Sequence, residues 1–193
     1  MLRVTRKIRH VLYFFVNRTK FKSIAYTTDI HKGVKIDGMS NISLGDHVIV
    51  QRYSWLGALP LTGEESCSLE IDEGSVIGNF NHIYATHKVR IGQNVLLADR
   101  VYISDCSHSY KNVDAPIIKQ PIKQLNEVII GNGAWIGENA CIIGCKVGTN
   151  SVVGANSVVT SDIPDYCVAV GSPARIIKKY NKELNRWEDV ERE

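Results

Sequence analysis

The feature that most constrains the fold of this chain is a six-residue repeat that runs from residue 130 to residue 163. Each unit begins with an aliphatic residue, usually followed by glycine, and most have alanine or serine at the fifth position. The units are IGNGAW, IGENAC, the shorter IIGCK, VGTNSV, VGANSV and VTSDIP. Neither a helix, with a period near 3.6, nor a strand that alternates every two residues produces a period of six. A parallel β-helix with three short strands in each coil does, and the repeat therefore predicts that fold.

The positions within each unit predict how the coil is built. We expect the first and fifth residues to point inward, and glycine and asparagine to form the corners, because both tolerate positive φ. A pattern of two aliphatic residues separated by one residue, then a small or acidic residue, marks the start of each coil; it recurs at 42–45, 69–72, 89–92, 128–131 and 145–148. Two intervals between these marks are too long for one coil. We expect excursions there, at about 57–68 and 109–127, and loops on a rigid scaffold commonly carry binding groups.

The chain divides into three segments within the length of a single domain, 193 residues. We expect a basic N-terminal arm and lead-in over 1–35 and a β-helix domain over 36–164 that includes the excursion 109–127. A tail follows over 165–193, and it is predicted to contain a short helix near 180–187.

The cysteines indicate the compartment. There are five, an odd number, and no two form a CxxC pair. This pattern argues against a disulfide framework and against a zinc knuckle, so we expect a reducing cytoplasm and no metal site.

The positive charge of the chain is concentrated in its N-terminal arm. The net charge is +3, but residues 1–22 contain seven cations and no acid, so the remainder carries −4. The apolar run 11–16 is far shorter than the roughly 20 residues that cross a bilayer. Two interpretations stay open: a helix packed on the end of the β-helix, or a helix on an anionic membrane surface at the inner face of the plasma membrane. Nucleic acid is not expected, since no basic and aromatic pattern continues into the body.

His108 is the candidate catalytic residue. It ends the unit ISDCSH and immediately precedes the second excursion, so a loop can fold over it. An imidazole titrates near neutral pH and can act as a general base towards a hydroxyl group. Asp105 or a backbone carbonyl can orient the ring.

Four segments in this order, ISDCSHSY, AWIGENACI, VGANSVVTSDIP and GSPARIIKK, resemble the hexapeptide-repeat O-acetyltransferases. These enzymes modify sugars and bacterial surface polysaccharides such as O-antigen and capsule, and the resemblance covers about 36–181. It implies an all-β, left-handed parallel β-helix, a homotrimer with active sites between subunits, acetyl-CoA as the donor and a saccharide hydroxyl as the acceptor.

The resemblance also implies roles for individual residues. His108 matches the general base, Trp135 a tryptophan beside the reacting groups, and Asn81 an asparagine that contacts acceptor and thioester, with Asn79 as the alternative. The tail 165–193 matches a coenzyme-binding segment. The implied acetyl-CoA contacts are Trp135, Ala155, Thr160, Ser161, Arg175 and Lys178.

The sequence departs from the family pattern at two positions. Ser161 stands where the family often has lysine, although Lys179 can replace that contact. Many relatives also have two histidines in the segment 105–109, and only the second is present here, as His108.

Four other interpretations remain open. The first is an N-acetyltransferase that acts on an amino sugar nucleotide. The second is a covalent mechanism through Cys106, two residues from His108. The third is a metal-dependent hydratase that would use His47, His82 and His87. The fourth is a scaffold without catalytic activity.

Overall fold

The computed structural model describes residues 2–190, with side chains from residue 10 onward, and it is a three-sided prism of parallel strands. The first sheet contains β1 (Ser23–Ile24), β4 (Ile42–Leu44), β7 (Ser68–Ile71), β10 (Lys88–Ile91), β15 (Val128–Ile130) and β18 (Lys146–Val147). The second contains β2 (Asp29–Ile30), β5 (Ile49–Val50), β8 (Val76–Ile77), β11 (Leu96–Leu97), β16 (Trp135–Ile136), β19 (Val152–Val153) and β21 (Cys167–Gly171). The third contains β3 (Lys35–Asp37), β6 (Trp55–Ala58), β9 (His82–Ala85), β12 (Tyr102–Ser104), β17 (Cys141–Ile143) and β20 (Val158–Val159). The predicted left-handed parallel β-helix is confirmed.

The remaining elements lie at the ends of this prism or along its side. Helix α1 (Leu2–Asn17) precedes it, and 3₁₀ turns lie at Met39–Asn41 and Ile117–Lys119. The second excursion contains two strands, β13 (Cys106–His108) and β14 (Ile122–Gln124), which pair antiparallel outside the three main sheets. After β21, the chain turns back as β22 (Ala174–Asn181) and β23 (Arg186–Asp189), both antiparallel to their neighbours.

The first and fifth residues of each six-residue unit fill the interior, as predicted. Ile130 and Ala134 are buried, and so are the corresponding pairs of the later six-residue units. In the short unit 142–146, the fourth residue, Cys145, is buried and the fifth, Lys146, is exposed.

A serine at the fifth position hydrogen-bonds to the backbone of the next coil. The Ser75 Oγ donates to the Gly92 carbonyl at 2.6 Å and accepts from the Val95 N–H at 2.9 Å. Stacked coils therefore pair this serine hydroxyl inside an otherwise apolar core.

The corners follow the predicted chemistry. Asn139, Asn150 and Asn156 occupy the fourth position of three units with φ between 50° and 58°. The glycine at the second position permits close stacking, because a Cβ on Gly137 would lie 2.5 Å from the Ala155 amide nitrogen.

Two boundaries differ from the sequence prediction. Residues 23–35 were expected to be a lead-in, but β1 and β2 pair in parallel with β4 and β5, so the prism has an additional first coil. The predicted C-terminal helix near 180–187 is wrong, because this segment is the turn of the β22–β23 hairpin.

Helix α1 packs against the first coil. The His10 Nε2 lies 2.7 Å from the Tyr26 carbonyl oxygen, and the Phe14 ring contacts the Tyr26 ring edge-on. Tyr13 packs against the buried core. No helix in the described part of the chain has the length and apolarity needed to span a bilayer.

Candidate active site

The second excursion carries His108 out of the prism on a two-stranded ribbon. Strand β13 continues directly from β12, and His108 is opposite Ile122 of β14. The His108 side chain is exposed at the end of β13. The excursion predicted at 109–127 thus holds the candidate base at the side of the third sheet.

A cavity of about 250 Å³ lies between this ribbon and the third sheet. It is lined by Trp55, His82, Tyr84, Tyr102, Ser104, Cys106, Ser107, His108 and Ile122. These nine residues include four large aromatic or imidazole rings from the sheet and no carboxylate, lysine or arginine. The cavity is therefore suited to an uncharged ligand with hydroxyl groups.

The aromatic lining arises from the stacking of coils. Trp55, His82 and Tyr102 occupy equivalent positions of β6, β9 and β12, so their rings form a ladder on the outer face of the third sheet. The Trp55 and His82 rings stack with centroids 4.3 Å apart, and the Tyr102 ring meets His82 edge-on at 5.2 Å. Gly57 makes room for the neighbouring Tyr84, since a Cβ there would lie 2.5 Å from the Tyr84 ring.

Burial favours the neutral form of the second histidine of the cavity, His82. It disfavours the charged imidazolium and lowers the pKa of His82, and the positive charge of Lys35 lowers it further. The Lys35 Nζ lies 3.9 Å from the centroid of the Trp55 ring and 2.9 Å from Asp37. The hydrogen bond from Lys35 lowers the pKa of Asp37, which also accepts from the Trp55 Nε1 at 2.8 Å.

Asp105, considered above as an orienting group for His108, has other partners. It is fully buried, and one carboxylate oxygen accepts from the Thr86 N–H at 2.7 Å and from the Thr86 hydroxyl at 2.9 Å. The other accepts from the His87 and Lys88 N–H groups at 2.8 and 2.7 Å. Asp105 therefore fixes the turn 86–88 instead of contacting His108.

The other two predicted substrate contacts lie away from this cavity. Asn81 is 1% exposed, because it is the fifth residue of its unit, and its Oδ1 accepts from the Val101 N–H inside the prism. Asn79 is bound at a corner by Gln51 and Asp99. Trp135 is half-exposed, but on the outer face of the second sheet.

Apart from Trp135 on β16, the predicted donor contacts lie in the last coil and the hairpin that follows it. Thr160 lines a second cavity of about 540 Å³ together with residues 123–126, Ile143 and Gly144. Strand β14 thus contributes residues to both cavities. Ala155 and Ser161 are exposed near the corners of this coil, and Arg175 and Lys178 are exposed on β22.

The structure also places the residues of the alternative interpretations. All five cysteines are free thiols. Cys106 lines the aromatic cavity, with its Sγ 3.3 Å from the Ser104 Oγ. Within the residues that the structure describes, His47, His82 and His87 are not grouped as ligands of one metal ion, and neither is any other set of three potential ligands.

Sequence reasoning did not identify Trp55, Tyr84 or Tyr102 as part of the site. A signal was present, because Trp55, His82 and Tyr102 each follow the fifth residue of a repeat unit. The first excursion, between Trp55 and His82, obscured that equivalence.

Comparisons with known proteins agree with this fold. Residues 127–161 match the family described as hexapeptide repeat of succinyl-transferase. The chain is 41% identical over 119 residues to a putative lipopolysaccharide biosynthesis O-acetyl transferase, WbbJ, of Escherichia coli, a match that covers 58% of this chain and 61% of that protein. It is also 41% identical over 105 residues to a galactoside O-acetyltransferase of Escherichia coli, which covers 53% of this chain and 50% of that one. The chain therefore spans between half and about three fifths of the length of these curated relatives.

A solved structure shares the architecture over most of its length. A mutant of AntD, an N-acyltransferase from Bacillus cereus in complex with dTDP and coenzyme A, superposes with a TM-score of 0.73 at 20% identity. The superposition covers 88% of this chain and 89% of that one, and it shows the likeness of the fold. In its matched repeat, and over the segments shared with the two O-acetyltransferases, the chain is therefore similar to the hexapeptide-repeat acetyltransferases.

Proposed function

We propose that this protein is an acetyl-CoA-dependent O-acetyltransferase that acts on a sugar hydroxyl in bacterial surface polysaccharide biosynthesis, such as that of O-antigen. The observation that carries the proposal is the position of His108. It is the one histidine on the excursion ribbon, and it lies at a cavity whose lining is uncharged and rich in rings. The similarity to the two O-acetyltransferases supports the same chemistry.

His108 acts as the general base in this proposal. The neutral imidazole takes the proton of the acceptor hydroxyl while the oxygen attacks the thioester carbonyl carbon. The negative charge on the resulting tetrahedral oxygen is stabilised by backbone N–H groups held by the rigid coils. When the C–S bond breaks, the imidazolium returns its proton to the sulfur of coenzyme A. One histidine thus serves both half-steps, and no acyl-enzyme forms.

The donor fits the second cavity and the hairpin. The cavity of about 540 Å³ beside Thr160 is lined in part by β14. Because β14 pairs with β13, a thioester arm bound in this cavity would reach towards His108. Arg175, Lys178 and Lys179 are exposed on β22, and their positive charges suit the phosphates of coenzyme A. Ala155 and Ser161 lie at the end of the prism nearest that hairpin.

An uncharged cavity favours a hydroxyl over an amine as the acceptor group. An amino sugar is cationic at neutral pH, and the nine lining residues offer it no carboxylate. An N-acyltransferase remains the competing function, since solved relatives of this fold were captured with dTDP-4-amino-4,6-dideoxyglucose. Parallel assays with hydroxyl and amino acceptors separate the two.

We also propose a homotrimer with active sites between subunits. The outer face of the second sheet carries an in-register apolar stripe, formed by Ile49, Val76, Leu96, Trp135, Val152 and Val168. Leu96 and Trp135 are about half-exposed. Burying this stripe against a neighbouring prism removes apolar surface from water and brings Trp135 to a subunit boundary.

Helix α1 supports a further proposal, peripheral contact with the cytoplasmic face of a membrane. Leu12, Phe15 and Val16 are 62%, 59% and 55% exposed, on the opposite side from the residues that pack on the first coil. Each nearby cation adds about 1 kcal/mol of attraction to an anionic surface. Residues 1–22 contain seven cations. Their positive charge would attract anionic headgroups, while the exposed apolar face would insert between the lipids.

The decisive experiment on the catalytic proposal replaces the base. His108→Ala should lower kcat/KM by about 10²- to 10⁴-fold with little change in coenzyme A binding, because a positioned base is lost. His87→Ala is the matched control, since His87 lies outside the cavity, and Cys106→Ser should remain active. A His108→Ala variant that keeps more than about a tenth of wild-type kcat/KM contradicts the general-base role. An inactive Cys106→Ser variant would favour the covalent route instead.

A further inference from the structure

The ribbon that carries His108 needs support from outside itself. Strands β13 and β14 pair through only three residue pairs, and a two-stranded ribbon alone is marginally stable in water. The position of the imidazole therefore depends on what attaches this ribbon to the prism.

Gln124, the last residue of β14, makes that attachment with its entire side-chain amide. Its Oε1 accepts from the Thr62 hydroxyl at 2.6 Å and lies 2.9 Å from the Thr86 hydroxyl. Its Nε2 donates to the carbonyl oxygens of Asp105 and Leu125, at 2.7 and 3.1 Å. Both donors of the amide are thus used, and its oxygen accepts from Thr62. The two carbonyl partners fix the amide orientation, because a carbonyl can only accept.

These contacts join three separate parts of the chain. Thr62 belongs to the first excursion, Thr86 to the turn after β9, and the Asp105 carbonyl immediately precedes β13. Thr86 and the buried Asp105 carboxylate are also bonded to each other, so the network continues into the rigid prism. Gln124 is paired with Cys106, two residues before His108.

We propose that Gln124 is a positioning residue for His108, and that the first excursion acts in catalysis through it. This inference rests on the proposed role of His108 as general base. By holding the Asp105 carbonyl, immediately before β13, the amide sets where the imidazole lies above the cavity. A displacement of about 1 Å in such a group can lower a rate by about 10²-fold. The first excursion then braces the second through the bond from Thr62.

Two substitutions at Gln124 test the proposal. Gln124→Ala removes all four contacts, whereas Gln124→Glu keeps the shape but places a carboxylate against two carbonyl oxygens. We expect kcat to fall by about 10- to 100-fold in both. Because Gln124 also lines the second cavity, the KM for acetyl-CoA is compared in Thr62→Val, where it should stay within about twofold. Gln120→Ala is the matched control, because Gln120 is in the same excursion and donates to the carbonyls of Asn112 and Ala115 at its tip. The control should leave kcat within about twofold of wild type.

A milder variant and a spectroscopic readout complete the test. Thr62→Val keeps the shape of the side chain and removes only the bond from the first excursion, so a loss in kcat of about threefold or more is expected. The NMR signals of the His108 imidazole, assigned with His108→Ala, should shift or broaden in the Gln124 and Thr62 variants and not in the control.

The outcomes separate this inference from the proposed function. Wild-type kcat together with unchanged His108 signals in Gln124→Ala overturns the positioning role. If that variant does not fold, the same result in Thr62→Val overturns it. If the wild-type protein transfers no acetyl group, the proposed function fails, while the imidazole signals still show whether Gln124 holds the ring.

Discussion

Glu127 shows how a single residue couples coils that are not adjacent in sequence. It closes the second excursion, and its carboxylate oxygens lie 2.9 Å from the Lys88 Nζ and 2.8 Å from the Lys146 Nζ. These lysines lie on β10 and β18, the strands on either side of β15, so one carboxylate spans three coils. The hydrogen bonds from Lys146 and Lys88 lower the pKa of Glu127 to about 2. A carboxylate with so low a pKa is a weak proton acceptor, and Glu127 is a poor substitute for His108 as a base.

This lowered pKa predicts a pH-dependent contribution to stability. A carboxyl group whose pKa is lower in the folded state stabilises the protein above its unfolded pKa, ordinarily 4.5, and loses that contribution as the pH falls through about 2. We expect Glu127→Gln to lower the free energy of unfolding by about 1 kcal/mol at pH 7, since these pairs are partly exposed. Urea unfolding measured from pH 7 to pH 2 checks this.

The control for that measurement is Glu138→Gln. Glu138 pairs with Arg100 at 2.6 Å, but both side chains are at least half-exposed, so a smaller effect is expected. A Glu127→Gln difference that stays constant down to pH 2 would contradict the linkage.

At this same scale, the sequence could locate residues but not their partners. His108 was identifiable because the repeat breaks immediately after it. The partners of Asp105 are 17 to 19 residues away, one coil earlier, and the contact arises only when coils stack. For Asn81, two predictions conflicted. The fifth position of the repeat predicted an inward side chain, whereas the resemblance predicted a contact with the substrate, and the side chain is buried inside the prism.

Among the elements, regular coils were predictable and the ends of the prism were not. The repeat specifies the strands from β7 onward because each unit supplies its own inward residues and corner. The C-terminal hairpin has no repeat, and its strands form because β21 would otherwise leave an open sheet edge. The signals for a turn were present: the Asn181 side chain accepts two N–H groups within it, and Asn185 has a φ of 50°. Tyr180 and Trp187 then pair across the strands, at positions where a helix had been predicted.

Helix α1 is the element whose exposed face can be tested directly. Replacing Leu12, Phe15 and Val16 together by serine should abolish salt-sensitive binding to vesicles that contain anionic lipid, because the inserted apolar face is lost. The residues of α1 that pack on the first coil are unchanged, so activity on a soluble acceptor should remain. Co-sedimentation with anionic and with neutral vesicles measures the effect.

The matched control replaces exposed apolar residues of the second excursion by serine instead. Val113 and Ile118 are 91% and 82% exposed, and replacing both by serine should not alter vesicle binding. Wild-type binding by the α1 variant would rule out this surface. A change in its oligomeric mass would show instead that the face contacts a second subunit.

For the whole molecule, the proposed function needs more than one prism. Trp135 is on the outer face of the second sheet, whereas His108 stands beside the third. If Trp135 acts beside the reacting groups, as the resemblance implies, the two residues of one site come from neighbouring subunits. In the proposed trimer, the apolar stripe that contains Trp135 is the surface on which such neighbours would meet.

Mixing two impaired variants tests this arrangement. His108→Ala and Trp135→Ala subunits, each with low activity alone, should regain about a quarter of wild-type activity when co-expressed in equal amounts. In a randomly assembled trimer, one site in four joins an intact His108 to an intact Trp135 of the next subunit. Light scattering on each variant verifies that both remain trimers. Mixed trimers isolated with two different affinity tags should reach about a third of wild-type activity, because each contains one such site in three. If both residues of a site belong to one chain, mixing restores no site and the activity stays at the mean of the two variants. That result would place the catalytic unit, with its Trp135, in a single prism.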